Sequence, residues 1–277
     1  MWPILSAITD GFDIILTPFA RLHPWVGLVV VSVVTGVVML LIFGKTSNQV
    51  RIAETKDRLK AYIMEMWIFR NDTRVMFGSI GRVVLSNLQY LRHSLRPLVF
   101  LIIPVIVIMV QLGIRYENEP FMPGEQTVVT VKLREGALPT ETPLELVGGG
   151  GVMPDSPALR VDADREVSWL VSARLPGKHE LSFVVGDDEV VTKRMDVGPE
   201  GGLDVLSAVR ARAGTWDAFL YPGEAPIPRD SVIESISLDY PQAHLSFLGL
   251  GVHWLLVFFI VSVAAGFALK GVFGIEV

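Results

Sequence analysis

The chain has 277 residues and no cysteine, which excludes disulfides and thiolate metal sites. Histidine is scarce: His23, His93, His179, His244 and His253 fall in different segments without ligand spacing. No serine stands in a nucleophile-elbow context. No catalytic constellation emerges, so neither enzymatic activity nor a cofactor nor a metal is expected. Charge is missing altogether over residues 26–43.

That uncharged run ends in Gly44-Lys45-Thr46, the way a phosphate-binding P-loop ends. A P-loop also needs a glycine five residues before Gly44, so that the backbone can curl its N–H groups toward the phosphates. Met39 stands there instead. About 17 to 25 apolar residues cross a bilayer core of about 30 Å, and Gly44-Lys45-Thr46 is read as the exit of such a helix from lipid. Gly148 to Gly151 lacks the strand-to-helix context of a phosphate loop and reads as a flexible loop. The spacing of Asp155, Asp162 and Asp164 does not match a Ca²⁺ loop.

What the sequence has in excess is apolar residues, 51% of the chain, with a mean hydropathy of +0.47. Two further runs are long enough to span: 98–114, interrupted by Pro104 and Gln111, and 252–269, where His253 is the single ionisable group. A proline kinks a membrane helix without excluding it. The loop 44–96 carries a net charge of +6 and the segment 115–251 one of −10. The positive-inside rule places the first in the cytoplasm and the second outside, with the N-terminus outside and the C-terminus inside. Residues 1–21 lack a basic start and carry Asp10 and Asp13, so they read as retained and not as a signal peptide. Trp2, Ile4, Leu5, Ile8, Phe12, Ile15, Leu16 and Phe19 recur there at helical spacing, as in a helix lying in the outer interface.

In the basic loop, Ile52, Leu59, Ile63, Met66 and Trp67 share one helical face, and Met76, Ile80, Val83, Leu88, Leu91 and Leu95 a second. Asn71-Asp72-Thr73 supplies a turn between them, giving an antiparallel helical hairpin, and Arg96-Pro97 ends its second helix. Met64, Met66, Trp67 and Met76 gather near the tip. They read as hairpin core, or as a pliable surface for varied partners, since the thioether adapts its shape. Beyond residue 115 the period becomes two: TVVTVKL (127–133), EVSWLVSARL (166–175), HELSFVV (179–185) and EVVTKRMDV (189–197) read as strands. Turns at Pro176-Gly177 and Gly186-Asp187-Asp188 separate them. Such spacing predicts an immunoglobulin-like β-sandwich. Residues 203–221 show weak helical periodicity and 231–241 read as one more strand.

The fold class expected is an α-helical membrane protein with three transmembrane helices and a cytoplasmic helical hairpin, plus an extracytoplasmic immunoglobulin-like β-sandwich. Its parts are an outer interfacial helix (1–22), first span (23–44), hairpin (45–96), second span (97–115), β-sandwich (116–200), linker with helix and strand (201–250), and third span with tail (251–277). Polar groups at membrane depth stand out: Ser32, Thr35, Gln111, His253 and Ser262. They either hydrogen-bond within and between helices or line a wetted substrate groove.

The order of an outer amphipathic helix, WVGLVVVSVVTGVVMLLIFGKTSNQ, a basic hairpin, LRPLVFLIIPVIVIMVQL and finally HWLLVFFIVSVAAGFALKGVFGIEV resembles the core of the Oxa/YidC membrane protein insertase superfamily. The three-span layout is most similar to archaeal YidC-like proteins and to the insertase subunit of the endoplasmic reticulum membrane protein complex. The likeness covers residues 1–115 and 250–277; the β-domain is additional to it. It implies a protein that assists insertion or assembly of other membrane proteins. Separately, the expected location is a bacterial inner membrane, with lipids, other membrane proteins and an extracytoplasmic protein at the β-domain as partners, and no nucleic acid. Many insertases carry an arginine in the first core span where this chain, aligned on Gly36, has Thr35. That departure also admits a non-catalytic scaffold or accessory subunit of a larger membrane complex.

Overall fold

A computed structural model describes residues 2–19, 23–47, 49–68, 73–186, 189–199, 203–247 and 250–275. The turn residues Asn71, Asp72, Asp187 and Asp188 lie outside them. Contacts divide the chain into two compact units, Met1–Gly27 with Ile108–Trp254, and Leu28–Val107 with Leu255–Val277.

The helices are α1 (Trp2–Leu16), α2 (Pro24–Thr46), α3 (Gln49–Ile68), α4 (Thr73–Tyr116), the short α5 (Asp217–Leu220) and α6 (Trp254–Leu269). Proline stands at the first position of α2, where its missing N–H would be unpaired in any case. α2 and the Pro97–Tyr116 part of α4 are long and apolar enough to cross a membrane. α6 is uncharged but has only 16 residues, because 250–252 belong to a strand. The break expected at Arg96-Pro97 is absent: α4 runs 44 residues with Pro97 and Pro104 inside it. Each proline removes one donor and crowds the preceding turn, a local cost of about 3 kcal/mol, and the regular turns on both sides keep the helix continuous.

In the second unit, α2 and α6 approach backbone to backbone. A Cβ at Gly36 would collide with the carbonyl of Ser262, and one at Gly266 would lie 3.6 Å from the Gly36 carbonyl. Apolar side chains gain no hydrophobic advantage from leaving lipid, so such helices associate through small residues that permit close packing.

In the first unit the strands are β1 (Gln126–Leu133), β2 (Leu144–Val147), β3 (Val152–Pro154), β4 (Leu159–Val161), β5 (Glu166–Ala173), β6 (Gly177–Val185), β7 (Glu189–Val197), β8 (Val209–Ala211), β9 (Ile233–Leu238), β10 (Leu245–Phe247) and β11 (Leu250–Val252). They form antiparallel sheets: β3-β5-β1-β9-β8 with β4 also on β5, the three strands β2-β6-β7, and the hairpin β10-β11. Alternation decides which face is buried. On β1, Val129, Val131 and Leu133 point inward, as do Val167, Trp169 and Val171 on β5. One apolar core takes side chains from both larger sheets, with the Trp169 ring of one lying edge-on to Phe183 of the other at 5.9 Å.

Two expectations need correction. Residues 203–221 are not helical as a whole: β8 lies there, paired with β9, and only Asp217–Leu220 forms a turn of helix. The β-domain does not end at residue 200 either, since β9 sits between β1 and β8, in register with β1 from Val129↔Leu238 to Val131↔Ile236. Pairing with strands distant in sequence outweighed the weak local periodicity.

Two outcomes follow from this packing. Gly36→Val should weaken the association of α2 with α6 by about 1–3 kcal/mol, the usual cost of overpacking, read as a lower unfolding midpoint in detergent, whereas Gly81→Ala, where a Cβ meets open space and helix propensity gains about 1 kcal/mol, should not lower it. A fragment covering 117–243 should give a β-type circular dichroism spectrum and a cooperative melt, whereas one ending at 199 should not, having lost β9 from the middle of its sheet.

Candidate functional site

Among the described residues, chemistry-bearing or binding side chains converge in both units. In the first, Gln111 and Arg115 lie one turn apart on α4 and meet α1. The Gln111 amide donates to Thr9 Oγ1 at 3.0 Å, and Thr9 itself donates to the Leu5 carbonyl one turn back. Arg115 donates to the Gln111 side-chain oxygen at 3.0 Å and to its carbonyl at 2.8 Å, then to the Thr9 carbonyl at 3.2 Å and to the Asp13 carboxylate. The arginine side chain is fully buried while that of Asp13 is 48% exposed. A guanidinium at the end of an apolar helix is thus neutralised by a carboxylate that still reaches solvent. Its Nε is buried without a partner among the described residues. Sequence reasoning found Gln111 through its polarity but counted Arg115 only as loop charge; the signal available was the four-residue spacing between them.

A second buried cation lies in the β-domain. Lys193 donates to the Ser207 carbonyl, the Arg194 carbonyl at 3.2 Å and Glu224 at 2.6 Å. Burial pushes its ammonium below the usual lysine range, and Glu224 partly restores it. The ammonium ties β7 through Ser207 to the segment before β8 and through Glu224 to the one between α5 and β9, and its three N–H donors are all used. The loop Gly148 to Gly151 is packed and not loose: the Gly151 N–H donates to His179 Nδ1 at 3.2 Å, and a Cβ there would strike Leu175 and the His179 ring. Asp162 caps Thr140. Asp155 accepts from Gln126 and Arg174, and a Ser172 hydrogen bond, more than these, holds its carboxyl below the usual range. No group of metal-binding side chains converges among the described residues.

In the second unit, a groove of about 530 Å³ opens between α2, α4 and α6. Thr35, Met39 and Phe43 form one wall, Leu98, Ile102 and Val105 a second, Phe259, Val263 and Phe267 a third. The exposed lining is apolar throughout. This differs from the wetted groove expected from Ser32, Thr35, Gln111, His253 and Ser262, and the reason is local. Ser32 donates to the Leu28 carbonyl at 2.6 Å and Ser262 to that of Phe259 at 3.1 Å, so each hydroxyl is satisfied on its own helix. Thr35 and Ser262 do border the same groove, while Ser32 does not line it. Gln111 belongs to the arginine cluster, and His253 stands before α6 with its ring 5.9 Å from that of Trp254.

At the hairpin tip, Met64 is 63% and Trp67 74% exposed. The reading of them as hairpin core is therefore corrected: the apolar end of α3 faces outward. The side chains of Met66 and Met76 lie outside the described residues.

The arginine cluster generates a coupled outcome. Asp13→Asn leaves the buried guanidinium without its counter-charge and should cost about 1–3 kcal/mol. Combining it with Arg115→Met should cost less than the sum of the two single changes in a double-mutant cycle. Chemical unfolding in detergent micelles measures this, and strictly additive losses would show that the pair is not coupled. No family model, characterised protein or solved structure matches the chain.

Proposed function

We propose that the chain is an insertase-like membrane protein whose α2–α4–α6 groove receives an apolar helix of another membrane protein during its insertion or assembly. The observation that carries this reading is the groove itself, an apolar recess of about 530 Å³ with Ile102, Phe259 and Phe267 about half exposed along it. Recesses of this kind are filled by packing, since lipid tails conform poorly to a fixed shape. α6 serves as the third span, tilting little because of its length. The +6 segment lies on the cytoplasmic side and the −10 segment outside, and the two larger sheets with their shared core act as an immunoglobulin-like sandwich there.

The satisfied hydroxyls of Ser32 and Ser262 favour a second reading. A groove with a dry wall suits stable retention of a partner helix, as in a scaffold subunit, better than passage of polar residues across the bilayer. A photoreactive residue at Phe259, with another at Ile102, separates the two. Crosslinks to several newly made membrane proteins that fade within a chase period are expected of an insertase or chaperone. Persistent crosslinks to one protein would assign the scaffold role, and crosslinks to lipid alone would overturn both.

A further inference from the structure

A polar cavity of about 490 Å³ lies within the first unit. One wall is the end of α1, with Asp13, Leu16 and Thr17, a second is β6 and β7, with Lys178 and Arg194, and a third is the segment Leu203 to Val205. The Arg194 guanidinium donates through Nε to Asp196 at 2.9 Å and through Nη2 to the Val205 carbonyl, while its Nη1 has no partner among the described residues. On Asp13, one carboxylate oxygen accepts from Arg115 and the other has no partner among the described residues. Lys178 and Asp204 stand 3.6 Å apart, 61% and 72% exposed, so the pair is held loosely and both groups can turn to a ligand. Spare donors thus come from the sheet wall, and spare acceptors from α1 and the third segment.

We infer that this cavity binds the headgroup of a phospholipid carrying a primary ammonium, with its phosphate toward Arg194 and Lys178 and its ammonium toward Asp13 and Asp204. The inference goes beyond the groove reading and takes from it only that α4 crosses the bilayer. Position selects a lipid as the source. Asp13 is bonded to Arg115, and the Leu206 N–H, next to the third wall, to the Ile114 carbonyl at 2.8 Å. Both anchors lie in the last turn of the 20-residue apolar stretch Pro97–Tyr116, which at 1.5 Å per residue matches the about 30 Å hydrocarbon core. Two walls are therefore fixed at the level where that helix leaves the hydrocarbon, which is the level of headgroups. Charge selects the headgroup. Two cations and two carboxylates line the cavity; a simple anion leaves both carboxylates unmatched, and a choline has no N–H to offer them, whereas a primary ammonium has three. The volume suits a small polar ligand, falling within the about 300–1,000 Å³ of such sites. Between the lining residues Asp13 and Leu16, Ile14 and Ile15 are 75% and 54% exposed, apolar surface for the acyl chains of a lipid held there by its head.

The full chain, delipidated in detergent, is titrated with phosphatidylethanolamine, with phosphatidylcholine and phosphatidylglycerol of the same acyl chains, and with glycerophosphoethanolamine, which has the head and no chains. Native mass spectrometry counts the molecules bound. One phosphatidylethanolamine should bind at least about tenfold more tightly than either other lipid, as hydrogen bonds between charged groups allow, and glycerophosphoethanolamine should bind more weakly than the lipid. Asp204→Asn should reduce the preference over phosphatidylcholine several-fold, and Lys178→Gln should weaken phosphatidylethanolamine binding several-fold. Both side chains are exposed, so the melting temperature should stay that of the parent chain. Equal binding of the three lipids, a preference for phosphatidylglycerol, or indifference to both variants overturns the inference. Glycerophosphoethanolamine binding as tightly as the lipid overturns the lipid source. None of these readouts involves the groove, so crosslinks from Phe259 fail or succeed independently of them.

Discussion

The architecture of the first unit depends on a short backbone clasp just beyond the end of α4. The Glu119 N–H donates to the Pro241 carbonyl and the Ala243 N–H to that of Glu117, both at 2.9 Å. Two passages of the chain that are far apart in sequence are thereby held side by side. Next to them Phe121 stacks on Tyr240 at 4.6 Å, and the Tyr240 hydroxyl accepts the Asp196 N–H. Burial raises the phenol well above its ordinary pKa, which keeps it neutral in the core. Because entry and exit meet here, a β-domain of more than a hundred residues sits between two apolar helices as an insertion, the arrangement that domain insertions generally adopt. The Leu206 N–H, bonded to the Ile114 carbonyl at 2.8 Å, fastens the segment before β8 to the last turn of α4.

Charges in the first unit follow one rule. Arg115 and Lys193 are both wholly buried, and each is matched by a carboxylate and by backbone carbonyls. Removing a charge from water costs more than a bare ion pair returns, and the additional hydrogen bonds close the gap. In the second unit the Ser32 and Ser262 hydroxyls turn back to their own helices, and a glycine-lined contact joins α2 to α6. Its groove is lined by apolar side chains.

How much of this was legible depended on how local the signal was. The strands β1, β5, β6 and β7 announced themselves because Val129, Val131, Val167, Trp169 and Val171 alternate with polar neighbours. β8 and the short β2, β3 and β4 did not, since three or four residues cannot display a period and their partners lie elsewhere in the chain. The continuity of α4 was hidden by Pro97, whose local preference for a break was overridden by regular helix on both sides. Length and lack of charge made α2 plain. The polarity of Ser32 and Ser262 was equally plain, yet the direction of each hydroxyl, which decides whether a groove is wet, is a matter of rotamer and not of sequence. Arg115 was visible as a letter; its burial required α1, over a hundred residues earlier, to supply Asp13 and Thr9.

The pairing of β1 with β9 bears on the order in which the molecule is made. β1 holds the middle of its sheet, and one of its two neighbours is encoded about a hundred residues later, a separation that slows folding because loop closure precedes the reward of contact. β5 follows β1 closely in the chain and β9 does not, so one flank of β1 has no partner strand until residue 238 has been made. An open flank on a central, valine-rich strand invites wrong partners. The sheet therefore cannot be completed from the chain until shortly before α6 is encoded, since only 15 residues separate the end of β9 at Leu238 from the start of α6 at Trp254.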